Sequence, residues 1–378
     1  MRLLLILLGA AAAQAGFVEE VIEAVEKDRV EEYFETVVIP AREASLEEQI
    51  SVGERNASAL TCASEDFRVL EADRKVVIVG GGPAGLTAAV YAARADLEPL
   101  VIARDGGQLE ATSRVDNFPG FDEGVDAVDL VNRIERQAKR FGATIKACDI
   151  TGVDLRCRPF RVYCENEEEI TSSALVVAAG ASPRWLGVPG EHKFLSKGVH
   201  TCATCDGYFY RNGHAAVIGG GDTAMEQALF LARICERVTL VHRGDTFRAS
   251  KTMATRVLKH PNILILWNTV VEAFKGDDDD DDQKLSALEL RNDQSRTVLR
   301  VDAAFVAIGH TPNTGLFDVR KNLEGYIYTA PGSTLTSVPG VFAAGDVQDP
   351  VYRQAITSAG TGAMAAIDAE RWLCEHGC

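Results

Sequence analysis

Two short glycine-rich segments, each lodged between an apolar strand and a helix, constrain this chain more than any other feature. The first is Gly80-Gly81-Gly82-Pro83-Ala84-Gly85. Lys75 to Val79 before it is a Val- and Ile-rich run suited to a buried parallel strand, Pro83 to Ala95 reads as a helix, and Pro99 to Ile102 as the next strand. In such a G-x-G-x-x-G turn Gly80 makes the tight bend, Gly82 lets the backbone approach a pyrophosphate, and Gly85 lets helix and strand pack closely. The helix N-terminus then presents partial positive charge to the phosphates. The unit recurs as strand Ala215 to Ile218, turn Gly219-Gly220-Gly221-Asp222-Thr223-Ala224, helix Thr223 to Ile234 and strand Val238 to His242. Two such units predict an α/β chain with two dinucleotide-binding, Rossmann-like domains, each a right-handed crossover onto a parallel sheet. The 378 residues leave room for that and for one further small unit.

The two turns lead into different strand ends. After the first, the second strand ends Ile102-Ala103-Arg104, where a ribose-binding acid is expected, and Asp105 comes one step late. The segment Gly106-Gly107-Gln108-Leu109 is therefore the candidate to hold the ribose. After the second, the strand ends in His242-Arg243. A base at that place suits a 2′-phosphate and favours NADP over NAD, with Arg248 completing a phosphate clamp.

Just before the second unit stands Cys202-Ala203-Thr204-Cys205-Asp206. Two thiols at this spacing can close a small disulfide ring and exchange it with a partner. Half of a zinc site is the other use of the pattern, but no second C-x-x-C or H-x-x-x-H accompanies it, so no metal is assigned. Asp206 is either a helix cap or a general acid for a released thiolate. Cys62, Cys148, Cys157, Cys164 and Cys235 read as scattered packing or surface thiols, and Cys374 and Cys378 as a frayed tail.

From Arg74 to Leu373 the chain resembles the low-molecular-weight thioredoxin reductases. The resemblance is carried by Gly80–Ala89, Gly106–Leu109, Asn117-Phe118-Pro119-Gly120, Cys202–Gly207, Gly219–Ala224, His242–Ala249, Ala307-Ile308-Gly309-His310-Thr311-Pro312-Asn313, Gly345-Asp346 and Arg353-Gln354-Ala355, in that order. It implies an FAD domain formed by residues 74–185 and 305–378, with an NADPH domain of residues 186–304 inserted within it. FAD would lie against the first glycine turn, Gln108, Asn117, Asp346 and Arg353-Gln354-Ala355. NADPH would reduce FAD, the flavin would reduce the disulfide at Cys205, Asp206 would protonate the released thiolate, and Cys202 would attack the disulfide of thioredoxin. A homodimer is also implied. One departure stands out: where the family has a second arginine after the histidine, this chain has Gly244. A flavin dithiol oxidase passing electrons to oxygen would keep the same fold but would not need the phosphate clamp.

The ends of the chain read differently. Arg2, the apolar run Leu3 to Leu8 and Ala13-Gln14-Ala15 have the pattern of a secretory signal over residues 1–15, too short for a confident membrane span. Entry into the secretory pathway is expected if it is used. Residues 16–73 form an acidic extension with helical spacing up to about residue 50, and Asn56-Ala57-Ser58 is a glycosylation sequon. The net charge of −16 argues against a nucleic-acid or anionic-membrane partner. Asp277 to Asp282 is an unbroken acidic run that reads as a solvated loop tip.

Overall fold

The computed structural model describes residues 72–276 and 284–376. The signal-like segment, the acidic extension up to residue 71, the sequon, Cys62, the aspartate run and Cys378 lie outside the described residues.

In chain order the described part starts with β1 (Arg74–Val79), α1 (Pro83–Arg94) and β2 (Leu100–Ile102). A small hairpin, β3 (Arg114–Val115) and β4 (Val125–Asp126), leads into α2 (Ala127–Arg140) and β5 (Thr144–Lys146). Then come β6 (Ile150–Asp154), β7 (Phe160–Cys164), β8 (Glu169–Val177) and β9 (Ala181–Pro183). The second unit contains β10 (Val199–His200), α3 (Ala203–Asp206), β11 (His214–Gly219), α4 (Asp222–Leu231), β12 (Arg237–Val241), α5 (Lys251–Leu258) and β13 (Ile263–Leu266). It continues through β14 (Val270–Gly276), β15 (Leu285–Arg291), β16 (Arg296–Arg300) and β17 (Ala303–Ala307). The chain closes with β18 (His310–Pro312), β19 (Val341–Ala343) and α6 (Ala355–His376).

These strands make two principal sheets. The first runs β5-β2-β1-β8-β7-β6, parallel from β5 to β8 and antiparallel beyond. One edge of β8 is shared: its first residues pair with β7, and Leu175 to Val177 pair with β19, which arrives from the far end of the chain. The second sheet is fully parallel in the order β10-β17-β11-β12-β13, with the antiparallel β14-β15-β16 beside it. The outgoing and returning connections lie side by side as the antiparallel pair β9–β18. Glu191, fully buried, accepts the backbone N–H groups of Leu186 (2.9 Å) and Gly187 (2.7 Å) and so fixes the outgoing connection.

Each sheet buries its own core. Val76 and Ile78 of β1 pack with the alanine face of α1 and with Ala365, Ala369 and Trp372 of α6. That contact is close because Gly362 has no side chain: a Cβ there would sit 2.1 Å from the carbonyl oxygen of Ala84. Phe305, Met225, Leu231 and Leu240 anchor the second core. Burying side chains of this size contributes roughly 1.5–3 kcal/mol apiece. Among the described residues no helix is long and apolar enough to cross a membrane.

The scattered-thiol reading needs correction at three positions. Cys148 and Cys164, both buried, form a disulfide with a Cα separation of 5.9 Å. The β6–β7 hairpin pairs Ile150 with Cys164 and so carries the two sulfurs together, which a separation of 16 residues in sequence does not announce. Cys157 is also disulfide-bonded. Cys235 is a free buried thiol, pushed up to about 11 by desolvation, and Cys374 is free and exposed.

Candidate active site

Cys202 and Cys205 are joined as a disulfide at the two ends of the first turn of α3. Cys202 is the N-cap: its sulfur accepts the N–H of Cys205 at 3.2 Å, and its carbonyl accepts the N–H of Asp206 at 3.1 Å. A residue in the N-cap position leaves its side chain outside the helix, so the sulfurs sit at the edge of the second unit. They meet the first unit at Gln354, whose side-chain amide lies 3.7 Å from each of them. Gln354 in turn accepts a hydrogen bond from Asn117 Nδ2 at 3.2 Å. A cavity of about 440 Å³ opens on the Cys202 side, lined in part by Thr201, Thr223, His310 and Arg353. Another of about 330 Å³ opens on the Cys205 side, beside Asn117, Tyr208 and Phe209.

The first glycine turn is built to leave its helix start open. Gly82 is the N-cap of α1 with no side-chain cap, and Pro83 follows, so the first N–H groups of that helix have no side-chain acceptor. Gly80, at φ +117°, passes so close to Ala178 that a Cβ would lie 2.2 Å from its carbonyl oxygen, while an equivalent atom on Gly85 would lie 1.9 Å from the oxygen of Gly80. A Cβ on Gly82 would meet nothing nearer than 3.6 Å. Asp105 folds the next loop by accepting the N–H of Gly107 (2.9 Å), and Gln108 donates to the carbonyl of Ala181. Leu109, half-buried, packs against the β3–β4 hairpin cluster. Arg104 pairs with Asp149 (2.9 Å) and Glu165. At the opposite wall Gly345 adopts φ +76° against Ala84. Asp346 is largely buried, with one hydrogen bond from Ser358 at 2.8 Å, and desolvation holds its carboxyl above the ordinary range. Arg353, Gln354 and Ala355 form the entry to α6, with Arg353 at φ +48° donating to the carbonyl of Pro350. An open helix start, a glycine-lined wall and a buried carboxyl with room for hydroxyl donors together fit a flavin dinucleotide.

The second turn repeats the design. Gly221 caps α4 without a side chain, and nothing lies within 4 Å of where its Cβ would be. On Gly219 that atom would lie 2.3 Å from the oxygen of Ala307 and 2.8 Å from Cβ of Ala224. Asp222 accepts both the N–H and the hydroxyl of Ser250 (2.9 Å each), tying the start of α4, where Thr223 follows, to the loop after β12. That loop is further held by Arg248 N–H and Ala249 N–H donating to Gly220 O. Arg243 and Arg248 are exposed and make no ion pair among the described residues, as a phosphate clamp requires.

His242 does not join them. Its ring turns inward, 7% exposed, with Nδ1 3.0 Å from Gly219 O and Nε2 2.8 Å from Thr246 O, and it packs on Phe247 and Trp267. It braces the glycine turn from behind: a Cβ on Gly220 would strike its ring at 2.2 Å. Assigning His242 to the phosphate clamp is therefore corrected to a structural support.

Sequence reasoning also passed over groups that the fold brings to the site. Gln227, on α4, donates to the carbonyl of Thr201 at 2.9 Å beside the disulfide. His310, at the returning connection, is pushed down to about 4, first by burial and then by Arg353 and Arg184, so it is neutral near pH 7. His200 contacts Asp206. His310 and Gln227 lay in segments that the sequence had marked, but without a role; His200 did not.

Known proteins resemble this chain in sequence and in fold. The family model for pyridine nucleotide-disulphide oxidoreductase matches residues 74–362. A thioredoxin reductase of Dictyostelium discoideum is 46% identical over 315 residues, which span 79% of this chain and 97% of that one. A thioredoxin reductase of Escherichia coli O157:H7 is 48% identical over 312 residues, spanning 79% and 96%. Among solved structures, a thioredoxin reductase from Giardia duodenalis superposes with a TM-score of 0.75 at 36% identity, covering 80% of this chain and 99% of its own.

Proposed function

Because the chain belongs to the pyridine nucleotide-disulphide oxidoreductase family, we propose that it is a thioredoxin reductase in which Cys202 and Cys205 pass electrons from NADPH, through FAD, to the disulfide of a thioredoxin. The observation that carries this reading is the closed Cys202–Cys205 disulfide set against Gln354 and Asn117 at the mouth of the flavin slot. Bound there, FAD supplies the two-electron relay between nicotinamide and disulfide.

The chain's own residues do the rest. The glycine turns and open helix starts would take the two pyrophosphates, Asp346 would hold the ribityl chain, and Arg243 with Arg248 would meet the 2′-phosphate. When two electrons enter and the Cys202–Cys205 bond breaks, Asp206 gives its proton to the sulfur that leaves. Once Cys202 has returned that proton to the Asp206 carboxylate, its thiolate attacks one sulfur of the partner disulfide, forming a mixed disulfide and releasing the other partner sulfur. Cys205 attacks Cys202 in turn, which restores the original disulfide and frees the partner as a dithiol. Gln354 orients the disulfide for the first of these events. For the exchange with the partner, the edge carrying Cys202 has to leave Gln354.

The test is anaerobic mixing of the FAD-loaded protein with NADPH, followed by an oxidised thioredoxin. Flavin bleaching that is reversed by thioredoxin, and lost to thioredoxin alone in Cys202→Ser, is the expected result. Bleaching by a small dithiol but not by NADPH, with recovery on oxygen, would replace the reading with that of a dithiol oxidase.

Two further parts of the proposal rest on other features. The signal-like residues 1–15, together with the buried Cys148–Cys164 disulfide, fit a compartment where disulfides persist. Fractionation of cells expressing the full chain tests it. Homodimerisation follows from the family resemblance, and light scattering on the holoenzyme tests that.

A further inference from the structure

Asp206 is 9% exposed and follows the disulfide directly, yet nothing in the sequence says what holds its carboxyl. The structure places His200 against it, with Nδ1 3.1 Å from Oδ2. His200 ends β10, two residues before Cys202, and is 6% exposed. Its ring stacks on Phe305 of β17, with centroids 5.4 Å apart and planes at 27°. Its other nitrogen, Nε2, lies 2.8 Å from the hydroxyl of Tyr210.

Tyr210 bears on which nitrogen carries the proton. Burial above all pushes its hydroxyl up to about 12, so it keeps a proton that it can donate to Nε2, 2.8 Å away. An imidazole that accepts at Nε2 carries its proton on Nδ1, the nitrogen that contacts Asp206. The three side chains thus form a contact chain, Tyr210 Oη against His200 Nε2 at 2.8 Å and His200 Nδ1 against Asp206 Oδ2 at 3.1 Å. The ionisable groups around it are Asp206, Tyr210, Asp302 and the thiol of Cys235, whose sulfur lies 3.3 Å from the carbonyl oxygen of Tyr210. No hydrogen bond engages Asp206 Oδ1 among the described residues, which leaves that oxygen for the sulfur.

We propose that His200 is the positioning residue of disulfide reduction: its Nδ1–H holds the Asp206 carboxyl in the orientation that delivers a proton to the released sulfur. The inference rests on Asp206 being the proton donor, as above. In the step concerned, two electrons supplied by NADPH through FAD break the Cys202–Cys205 bond. One proton moves from Asp206 to the sulfur released, the other sulfur is left as thiolate, and the resulting carboxylate is held by His200. Tyr210 acts one place further back, by fixing the tautomer.

The experiment uses the full-length FAD-loaded protein and follows two events separately. Flavin bleaching by NADPH is read by absorbance, and dithiol formation by rapid quenching with an alkylating agent and mass analysis of Cys202 and Cys205. His200→Leu removes the donor, and His200→Gln moves the amide toward the Nε2 position and withdraws it from Asp206. Both are expected to slow dithiol formation at least about tenfold, the low end of what one hydrogen bond to a charged group is worth. His200→Asn places an N–H near the Nδ1 position and is expected to restore most of the rate. The deficit should widen as pH rises, since solvent then supplies fewer protons. In an Asp206→Asn background the His200 substitutions should have no further effect.

If the Leu and Gln variants slow flavin bleaching as much as dithiol formation, or if Asn rescues nothing, His200 serves only the fold and the proposal is overturned. If Asp206→Asn is slow while the Leu and Gln variants match the parent, the proposal alone fails and the acid role of Asp206 stands. If Asp206→Asn itself forms dithiol at the parental rate, both fall.

Discussion

Gly221→Ala separates cofactor binding from folding more cleanly than any other substitution in the two turns. Gly221 has φ −97° and ψ −179°, an extended conformation open to alanine. Since no atom lies within 4 Å of the added Cβ, the fold should lose less than ~0.5 kcal/mol, as for an unhindered surface change. The space is empty because a pyrophosphate has to approach the backbone there. A methyl group in that space forces the phosphates back and breaks one or two charge-assisted hydrogen bonds from the start of α4, each worth about 1.5–3 kcal/mol. NADPH should then bind more weakly by roughly tenfold, for one bond at the low end, up to roughly 20,000-fold, for two at the high end. Titration of the FAD-loaded protein with NADP⁺ measures the affinity, and thermal melting of the same samples measures the fold. Gly219→Ala is the contrast. Its Cβ would collide with the backbone of Ala307, so stability and affinity should fall together. Near-parental binding in Gly221→Ala, or a melting temperature lowered as far as in Gly219→Ala, would refute the argument.

Arg248→Ala should lower kcat/KM for NADPH at least tenfold and leave NADH nearly unchanged, because only the former carries a 2′-phosphate for an exposed guanidinium that makes no ion pair among the described residues. Gly244→Arg should widen the NADPH preference; its Cβ would come 3.2 Å from His242 Nε2, so a modest loss of stability is expected alongside. Alkylation of the native protein after NADPH treatment should label Cys202, Cys205 and the exposed Cys374 but leave the buried Cys148–Cys164 disulfide intact until the chain is unfolded, which peptide mass analysis reads directly. His310 is depressed from 6.5 to about 4 in the fold, so the unfolded chain binds the extra proton between those values and stability falls as pH drops through that window. The full shift corresponds to at most about 3 kcal/mol, and His310→Gln should flatten that part of the stability–pH curve.

What the sequence disclosed and what it withheld divide along a physical line. The glycine turns were legible because their requirement is local: a strand, a bend without side chains and a helix start are contiguous, and the φ of +117° at Gly80 is met most readily by glycine. The Cys202–Cys205 pair was legible for the same reason, since three residues of spacing suffice to close the ring. His242 was misplaced because the residue following a strand can point either way, and the choice is made by Trp267, Phe247 and the carbonyl of Gly219. Cys148 and Cys164 meet only through the hairpin register. His200 lies two residues before a motif that had been read, yet its meaning depends on Phe305, about a hundred residues later, to fix its ring. Such pairings carry no periodicity, so no pattern in the chain could report them.

The shared edge of β8 bears on how the molecule is made. Leu175 to Val177 leave the ribosome early, but β19, the strand that must lie beside them, emerges only after the whole second sheet has been translated. The first sheet therefore waits with an open seam, and Gly362 and Trp372 of α6 cannot yet cover α1. The second sheet has no such debt, since β10 through β17 are consecutive and can close as soon as they appear. Synthesis thus imposes an order in which the nucleotide-clamping half matures first. Loss of roughly the last forty residues would leave that half intact while exposing a Val-rich parallel edge to other chains, a known template for aggregation.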